Sequence, residues 1–137
     1  MLQLKKKEYD SMLKHALDNL PNEACGLIGG TVENDIKIVK EAYLLRNIDE
    51  SNEHFSMDPK EQLAVVKDLR LKGYSLFGNF HSHPETPSRP SEEDIRLAHD
   101  PNASYLILSL QIPEHPVLKA FHISGGAVTE EPIEILS

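Results

Sequence analysis

The sequence is poor in cysteine and has no long apolar run. Cys25 is the only cysteine among 137 residues, so no disulfide can form within the chain, and a reducing cytoplasmic location is expected. No segment approaches the roughly 18 apolar residues that span a membrane, and the first residues lack the apolar core of a signal peptide. These absences predict a cytoplasmic protein with no membrane partner.

Basic residues are also scarce. Lys and Arg number 14 against 22 Asp and Glu, which gives a formal net charge of −8. Binding to nucleic-acid phosphates needs a basic face, and this composition does not favour one. The length fits a single domain, residues 1–137, with one ordinary hydrophobic core.

The apolar periodicity predicts a mixture of helices and strands. A stripe at steps of three and four predicts a helix over 5–20, and Asp58-Pro59-Lys60-Glu61 opens a second helix that runs to about Lys72. A short helix is predicted to start at Ser91. Predicted strands cover 24–32, 36–45, 74–83, 104–112, 117–123 and 128–136. This order indicates an α+β fold with helices packed on a sheet, and it does not fit a purely parallel βαβ alternation.

The strongest chemical signal lies in residues 81–94. His81 and His83 are one residue apart at the end of a predicted strand, so their side chains point to the same face. Asp94 follows on the first turn of the short helix. Two imidazoles and one carboxylate form a ligand set that zinc accepts with one position left for water, and other divalent ions also fit it. The remaining histidines, His15, His54, His99, His115 and His122, show no such arrangement and are read as surface or hydrogen-bonded residues.

A hydrolytic metal site also needs a base that is not a ligand. We favour Glu23 over Glu85 and Glu92, because a carboxyl at the mouth of an apolar strand is desolvated and its pKa rises toward neutrality. Ser91 and Asp94 match the Ser-x-x-Asp pattern of a helix cap, which is a purely structural role. Capping does not exclude chemistry, since the cap fixes the backbone that presents both residues.

One competing mechanism needs no metal. Cys25 could act as a thiolate nucleophile paired with His81 or His83. A lone cysteine inside an apolar strand is more typical of buried packing, which argues against this reading.

Together these positions resemble the JAMM (MPN-plus) metallopeptidase family. The motif reads His81-Ser82-His83-Pro84, six residues, Ser91, two residues and Asp94, with Glu23 opening Glu-Ala-Cys-Gly-Leu-Ile-Gly-Gly upstream. The similarity runs from about residue 5 to 125 and includes Phe-Ser-Met-Asp-Pro at 55–59. The segments 46–57 and 111–116 are brief, so the chain looks like the short prokaryotic members and lacks the larger insertions associated with ubiquitin-linkage selectivity.

The resemblance implies a fold and an activity. The fold would be the cytidine-deaminase-like, MPN-type αβα architecture, a curved mixed β-sheet flanked by helices. His81, His83 and Asp94 would bind Zn²⁺, Glu23 would be the general acid and base, and Ser91 would stabilise the oxyanion. The enzyme would hydrolyse the amide bond after the C-terminal glycine of a ubiquitin-like or sulfur-carrier β-grasp protein, whose tail would bind as an added strand beside the cleft. Release of a single amino acid from a sulfur carrier and a non-catalytic scaffold of the same fold remain alternatives, and the oligomeric state is not predicted.

Overall fold

Residues 1–137, all of which the computed structural model describes, form eight strands and three helices. The helices are α1 (Lys6–Asp18), α2 (Pro59–Lys72) and α3 (Glu92–Arg96). The strands are β1 (Leu2–Lys5), β2 (Cys25–Glu33), β3 (Ile36–Leu45), β4 (Ser75–His83), β5 (Ser104–Ser109), β6 (Val117–Ser124), β7 (Ala127–Glu131) and β8 (Ile133–Leu136). None of the helices has the length and apolar character needed to cross a membrane.

All eight strands belong to one mixed sheet. Their order is β7-β6-β5-β4-β2-β3-β1-β8, with parallel pairs at β4–β5, β1–β3 and β1–β8 and antiparallel pairs elsewhere. The edge strands β7 and β8 are separated in the chain by Pro132 alone, so the sheet curls until its two edges nearly meet. The amide of Leu2 donates to the carbonyl of Pro132 at this seam (2.9 Å). The predicted α+β fold with a curved mixed sheet is confirmed.

The two longer helices cover opposite faces of the sheet. Leu27 and Ile28 are consecutive on β2 and therefore point to opposite sides. Ile28 packs in a cluster with Met12 of α1, whereas Leu27 packs with residues of α2. The larger cluster contains Leu2, Leu4, Met12, Ile28, Val39, Phe77, Phe80, Leu106 and Ala120. A Cβ at Gly26 would overlap the Phe80 ring and the Tyr43 carbonyl oxygen, so only glycine fits there.

Two strands differ from the expectation. β1 was not predicted, although Leu2 and Leu4 are fully buried, because four residues with two leucines carry too little periodicity to identify a strand. The single strand predicted over 128–136 is divided at Pro132, which has no amide hydrogen to donate to a ladder. The first half, β7, pairs with β6 at one edge of the sheet, and the second half, β8, pairs with β1 at the other edge.

The side-chain alternation of β4 is interrupted once. The register with β2 passes from Ile28 opposite Gly78 to Gly29 opposite Leu76, so Phe77 lies at a bulge. Strict alternation along β4 would put Phe77 on the same face as His81 and His83, but the bulge turns its side chain into the core cluster instead. Beyond the bulge the alternation holds.

Replacing Phe80 with alanine tests the core on the α1 face. Phe80 is fully buried, so Phe80→Ala should lower the free energy of unfolding by about 3–5 kcal/mol through lost burial and a cavity. Leu71, which is 88% exposed on α2, provides the control. Leu71→Ala should change the free energy of unfolding by less than about 0.5 kcal/mol. Urea denaturation of the metal-free proteins measures both values. Equal effects of the two substitutions would contradict the packing described.

Candidate active site

The end of β4 and the start of α3 bring three side chains together. β4 is an interior strand between β2 and β5, and its last residues carry His81 and His83, which are 2% and 5% exposed. Their Nε2 atoms are 3.1 Å apart. Asp94 Oδ2 lies 3.2 Å from His81 Nε2 and 3.1 Å from His83 Nε2. The predicted ligand set is therefore assembled around one point.

The spacing of these atoms fits a small divalent ion. Zinc bonds of about 2.0–2.1 Å in a tetrahedron place neighbouring donor atoms about 3.3 Å apart, close to the three separations observed here. Three protein ligands leave the fourth position open, which is the arrangement of hydrolytic zinc sites. The residues present thus match zinc in donor type, number and spacing.

Each imidazole is held in a different way. His83 Nδ1 donates to the Pro87 carbonyl (2.9 Å), which leaves the Nε2 lone pair directed at the site. The His81 ring stacks on Phe55 with centroids 4.7 Å apart, while its Nδ1 is buried without a hydrogen-bond partner. Burial lowers the pKa of His81, so its ring is neutral near pH 7, as a ligand must be.

Ser91 and Asp94 form the predicted capping box. Ser91 Oγ accepts from the Asp94 amide (3.0 Å), and Asp94 Oδ2 accepts from the Ser91 amide (2.9 Å). The oxygen that caps the helix is also the one that faces both histidines. Burial raises the pKa of Asp94, but the contacts of its carboxylate with the His81 and His83 rings and with the Ser91 amide outweigh burial and hold this pKa well below its usual range. Because the serine oxygen accepts in the cap, its hydroxyl proton is left for another partner.

Glu23 is a desolvated carboxyl beside this ligand set. It lies just before β2, is 4% exposed, and its Oε1 has no hydrogen-bond partner. Burial raises its pKa from 4.5 to about 8, and the nearby His83 partly opposes the rise. Glu23, His83 and Ser91 line one cavity. The environment is that expected of a base that works near neutral pH.

Two residues that the sequence analysis missed hold Glu23 in place. Ser82 Oγ accepts from the Ala24 amide (2.8 Å), and the Ser82 amide donates to the Ala24 carbonyl (2.9 Å). Asn47 Nδ2 donates to the Glu23 carbonyl (3.0 Å) and also to the carbonyl of His54 (3.1 Å). The buried serine between two candidate ligands was the one available signal, whereas Asn47 had none.

The proline-rich connector from 84 to 90 is fastened to the sheet by two further serines. Ser88 Oγ donates to the Val117 carbonyl (2.5 Å), and Ser109 Oγ donates to the Thr86 carbonyl (2.6 Å). Pro84, Pro87 and Pro90 restrict the backbone of this connector, and the two bonds to β5 and β6 fasten it to the sheet. Both bonds lie next to Pro87, whose carbonyl orients His83.

The other candidates lie outside the ligand set. Cys25 is completely buried, and burial raises the pKa of its thiol to about 12, so no thiolate is available for the competing mechanism. Glu92 is exposed on α3. Glu85 is exposed on the connector, although it lines the cavity that contains Glu23.

Comparison with known proteins identifies the family. Residues 5–123 match the family described as prokaryotic homologs of the JAB domain. The chain belongs to this family. Its membership confirms the resemblance to the JAMM metallopeptidases that the motif indicated.

Individual relatives give further comparisons. The CysO-cysteine peptidase of Mycobacterium tuberculosis is 32% identical over 128 residues, 93% of this chain and 86% of the relative. A desampylase of Haloferax volcanii is 32% identical over 105 residues, 73% of this chain and 74% of the relative. The solution structure of a Desulfitobacterium hafniense protein has 56% identity and a TM-score of 0.91, covering 98% of this chain and 92% of that chain.

The ligand set can be tested by zinc binding alone. We expect one zinc ion per chain. His81→Ala or Asp94→Asn should weaken zinc binding by at least about 100-fold, because only two protein ligands remain to hold the ion. Asn at position 94 keeps an acceptor for the helix cap, so the loss would not reflect unfolding. His99→Ala removes an exposed histidine and should bind zinc normally. Competition with a chromophoric chelator measures the affinities, and unchanged binding by both ligand variants would refute the assignment.

The burial of Glu23 predicts a pH-dependent effect on stability. The unfolded chain loses this proton at a lower pH than the folded chain, so the metal-free protein loses stability as pH rises from about 4.5 through about 8. Glu23→Gln does not titrate. The free energy of unfolding of the metal-free variant, relative to that of the metal-free wild-type protein, should therefore be higher at about pH 9 than at about pH 5. The difference should be on the order of a few kcal/mol. Denaturant unfolding at both pH values measures the difference, and a pH-independent effect would contradict the desolvation of Glu23.

Proposed function

We propose that the protein is a zinc metallopeptidase that hydrolyses the amide or isopeptide bond after the C-terminal glycine of a ubiquitin-like or sulfur-carrier β-grasp protein. One observation carries the proposal. Glu23, a desolvated carboxyl that is not a ligand, shares a cavity with Ser91 directly beside the three-residue ligand set. A purely structural metal site would not need a desolvated carboxyl that is not a ligand.

His81, His83 and Asp94 would hold the zinc ion. When bound, zinc lowers the pKa of a coordinated water and polarises a carbonyl oxygen. Pro87 and Phe55 fix the two imidazole rings, and the α3 cap fixes the carboxylate, so the three donors are arranged before any ion binds.

Glu23 and Ser91 would handle the proton and the developing charge. Glu23 accepts the proton of the attacking water and passes it to the nitrogen of the breaking amide bond. The Ser91 hydroxyl donates to the carbonyl oxygen as negative charge builds up there. Ser82 and Asn47 hold the backbone on either side of the base.

The bound tail of the modifier would lie beside the cleft, as the resemblance implies. β4 has β2 on one side and β5 on the other, so a tail bound as an added strand would pair with backbone other than that of β4. A cavity next to His81 and Asp94 offers apolar walls that include Phe55, Leu97, Tyr105 and Ile107. Asn79 also lines it, and its buried Oδ1 has no partner, which provides an acceptor for a backbone amide of the tail.

The same proposal covers domain organisation and location. Residues 1–137 would act as one JAMM domain, since every strand joins one sheet. The cytoplasmic location stays a prediction that rests on the single cysteine. Relatives named as a peptidase and as a desampylase support a protein-tail substrate.

Turnover by the Glu23→Gln variant tests the proposed activity. The substrate is a β-grasp protein fused through its terminal glycine to a lysine side chain, and release is followed by mass spectrometry. We expect cleavage that a chelator abolishes and zinc restores. Glu23→Gln should keep its zinc and lose about 10²–10⁴-fold in kcat, because proton transfer to the leaving amine is lost.

Glu92→Gln makes the same chemical change on an exposed position of α3 and serves as the control. Normal turnover by Glu23→Gln would exclude Glu23 as the base. Absence of cleavage in the zinc-loaded wild-type protein would favour the non-catalytic scaffold, and cleavage that ignores chelators would exclude a metal mechanism.

A further inference from the structure

The three ligands lie between two cavities of different character. His81 and Asp94 line the cavity with apolar walls, whereas His83 lines the cavity that contains Glu23 and Ser91. A substrate whose scissile carbonyl sits at the ligands must therefore place one side of its amide bond in each cavity. The acyl side and the amine side of the bond therefore lie in different cavities.

The position of Glu23 determines which cavity receives the amine side of the bond, provided that the proposed function holds. In hydrolysis the carbon–nitrogen bond breaks, water supplies the hydroxyl to the carbonyl carbon, and a proton goes to the departing nitrogen. The group that delivers this proton must be within hydrogen-bond reach of the nitrogen. Glu23 lines the second cavity and does not line the first. The departing amine and what it carries therefore lie in the second cavity.

The second cavity is entirely polar and strongly acidic. No apolar side chain lines it, and Glu23, Glu53 and Glu85 all face it. Glu53 and Glu85 are exposed to solvent. His83 is its only lining residue with a basic side chain, and this imidazole is directed at the ligand set. Arg89, on the same connector as Glu85, lines a different cavity.

A buried polar atom without a hydrogen-bond partner in the second cavity indicates that a ligand binds there. Glu23 is 4% exposed, and its Oε1 lacks any hydrogen-bond partner. A buried acceptor without a partner costs stability unless a ligand satisfies it. The amine of a leaving group, which is a donor and becomes cationic when released, meets that requirement.

We propose that this enzyme selects leaving groups that carry no free carboxylate, such as a lysine side chain within a protein, over a single amino acid joined to the modifier tail. A free amino acid released through its α-amine holds its own carboxylate two bonds from the departing nitrogen. That charge enters a cavity whose walls already include the exposed acidic side chains of Glu53 and Glu85. A lysine within a chain presents only neutral backbone and a cationic amine there, and both suit acidic walls.

Two substrates that differ by one charge test the inference. A β-grasp modifier ending in Gly-Gly is extended by alanine with a free carboxylate or by alaninamide, so that the scissile bond is the same in both. We expect kcat/KM for the amide form to exceed that for the acid form by about tenfold or more at low salt. Equal rates, or preference for the free acid, would overturn the inference.

Charge-removing variants assign the preference to the cavity. The double variant Glu53→Gln with Glu85→Gln should reduce the ratio of the two rates to less than about threefold. The control is Glu33→Gln with Glu130→Gln, which removes the same charge from exposed positions on β2 and β7 outside this cavity, and its ratio should equal that of the wild-type protein. An unchanged ratio in the Glu53 and Glu85 variant would overturn the inference.

The outcomes separate this inference from the function on which it rests. If neither the alanine substrates nor a lysine-linked substrate is cleaved by the zinc-loaded protein, the proposed peptidase activity fails. If both alanine substrates are cleaved at the same rate, the activity stands and only the selectivity for uncharged or cationic leaving groups fails.

Discussion

The reciprocal pair of hydrogen bonds between Ser82 and Ala24 is the contact on which the site depends. Ser82 stands between His81 and His83, so its side chain points away from the face that they share. Its hydroxyl and its amide both bind the backbone of Ala24, directly after Glu23. The strand that carries two ligands therefore also sets the position of the candidate base. A site built in this way relies on strand pairing and not on a flexible loop, which is the more precise support for catalytic geometry.

Much of the fold could be predicted because its local patterns are strong. The stripe of α1, the Asp58 cap of α2 and the hairpin of β2 and β3 are each visible within a few residues. Closure of the sheet could not be predicted, because it depends on β1 and β8 pairing across almost the whole chain. Phe77 shows the same limit at one position. Its face is set by a bulge against β2, and no pattern within β4 contains that information.

Some residues of the site could be predicted from local sequence patterns, whereas others depend on contacts between distant segments. His81 and His83 could be recognised because strand alternation puts them on one face, and Ser91 and Asp94 because a capping box has a fixed spacing. Glu23 is far away in the sequence, and only desolvation reasoning and the family resemblance linked it to them. The supporting residues Asn47, Ser88 and Ser109 bond to backbone carbonyls of distant segments, so their roles become visible only in the folded chain.

Unsatisfied polar atoms mark the site independently of any motif. Four buried side-chain atoms have no hydrogen-bond partner, and three of them, on Glu23, Asn79 and His81, belong to residues that line the two cavities beside the ligands. Each such atom costs about 1–3 kcal/mol. Elsewhere the fold satisfies even a buried carboxylate, since Glu131 accepts from Ser104 (2.7 Å) and lies 3.2 Å from His122. A fold that meets this requirement at its closing seam and leaves it unmet around β4 has concentrated its unused hydrogen-bonding capacity beside the ligand set.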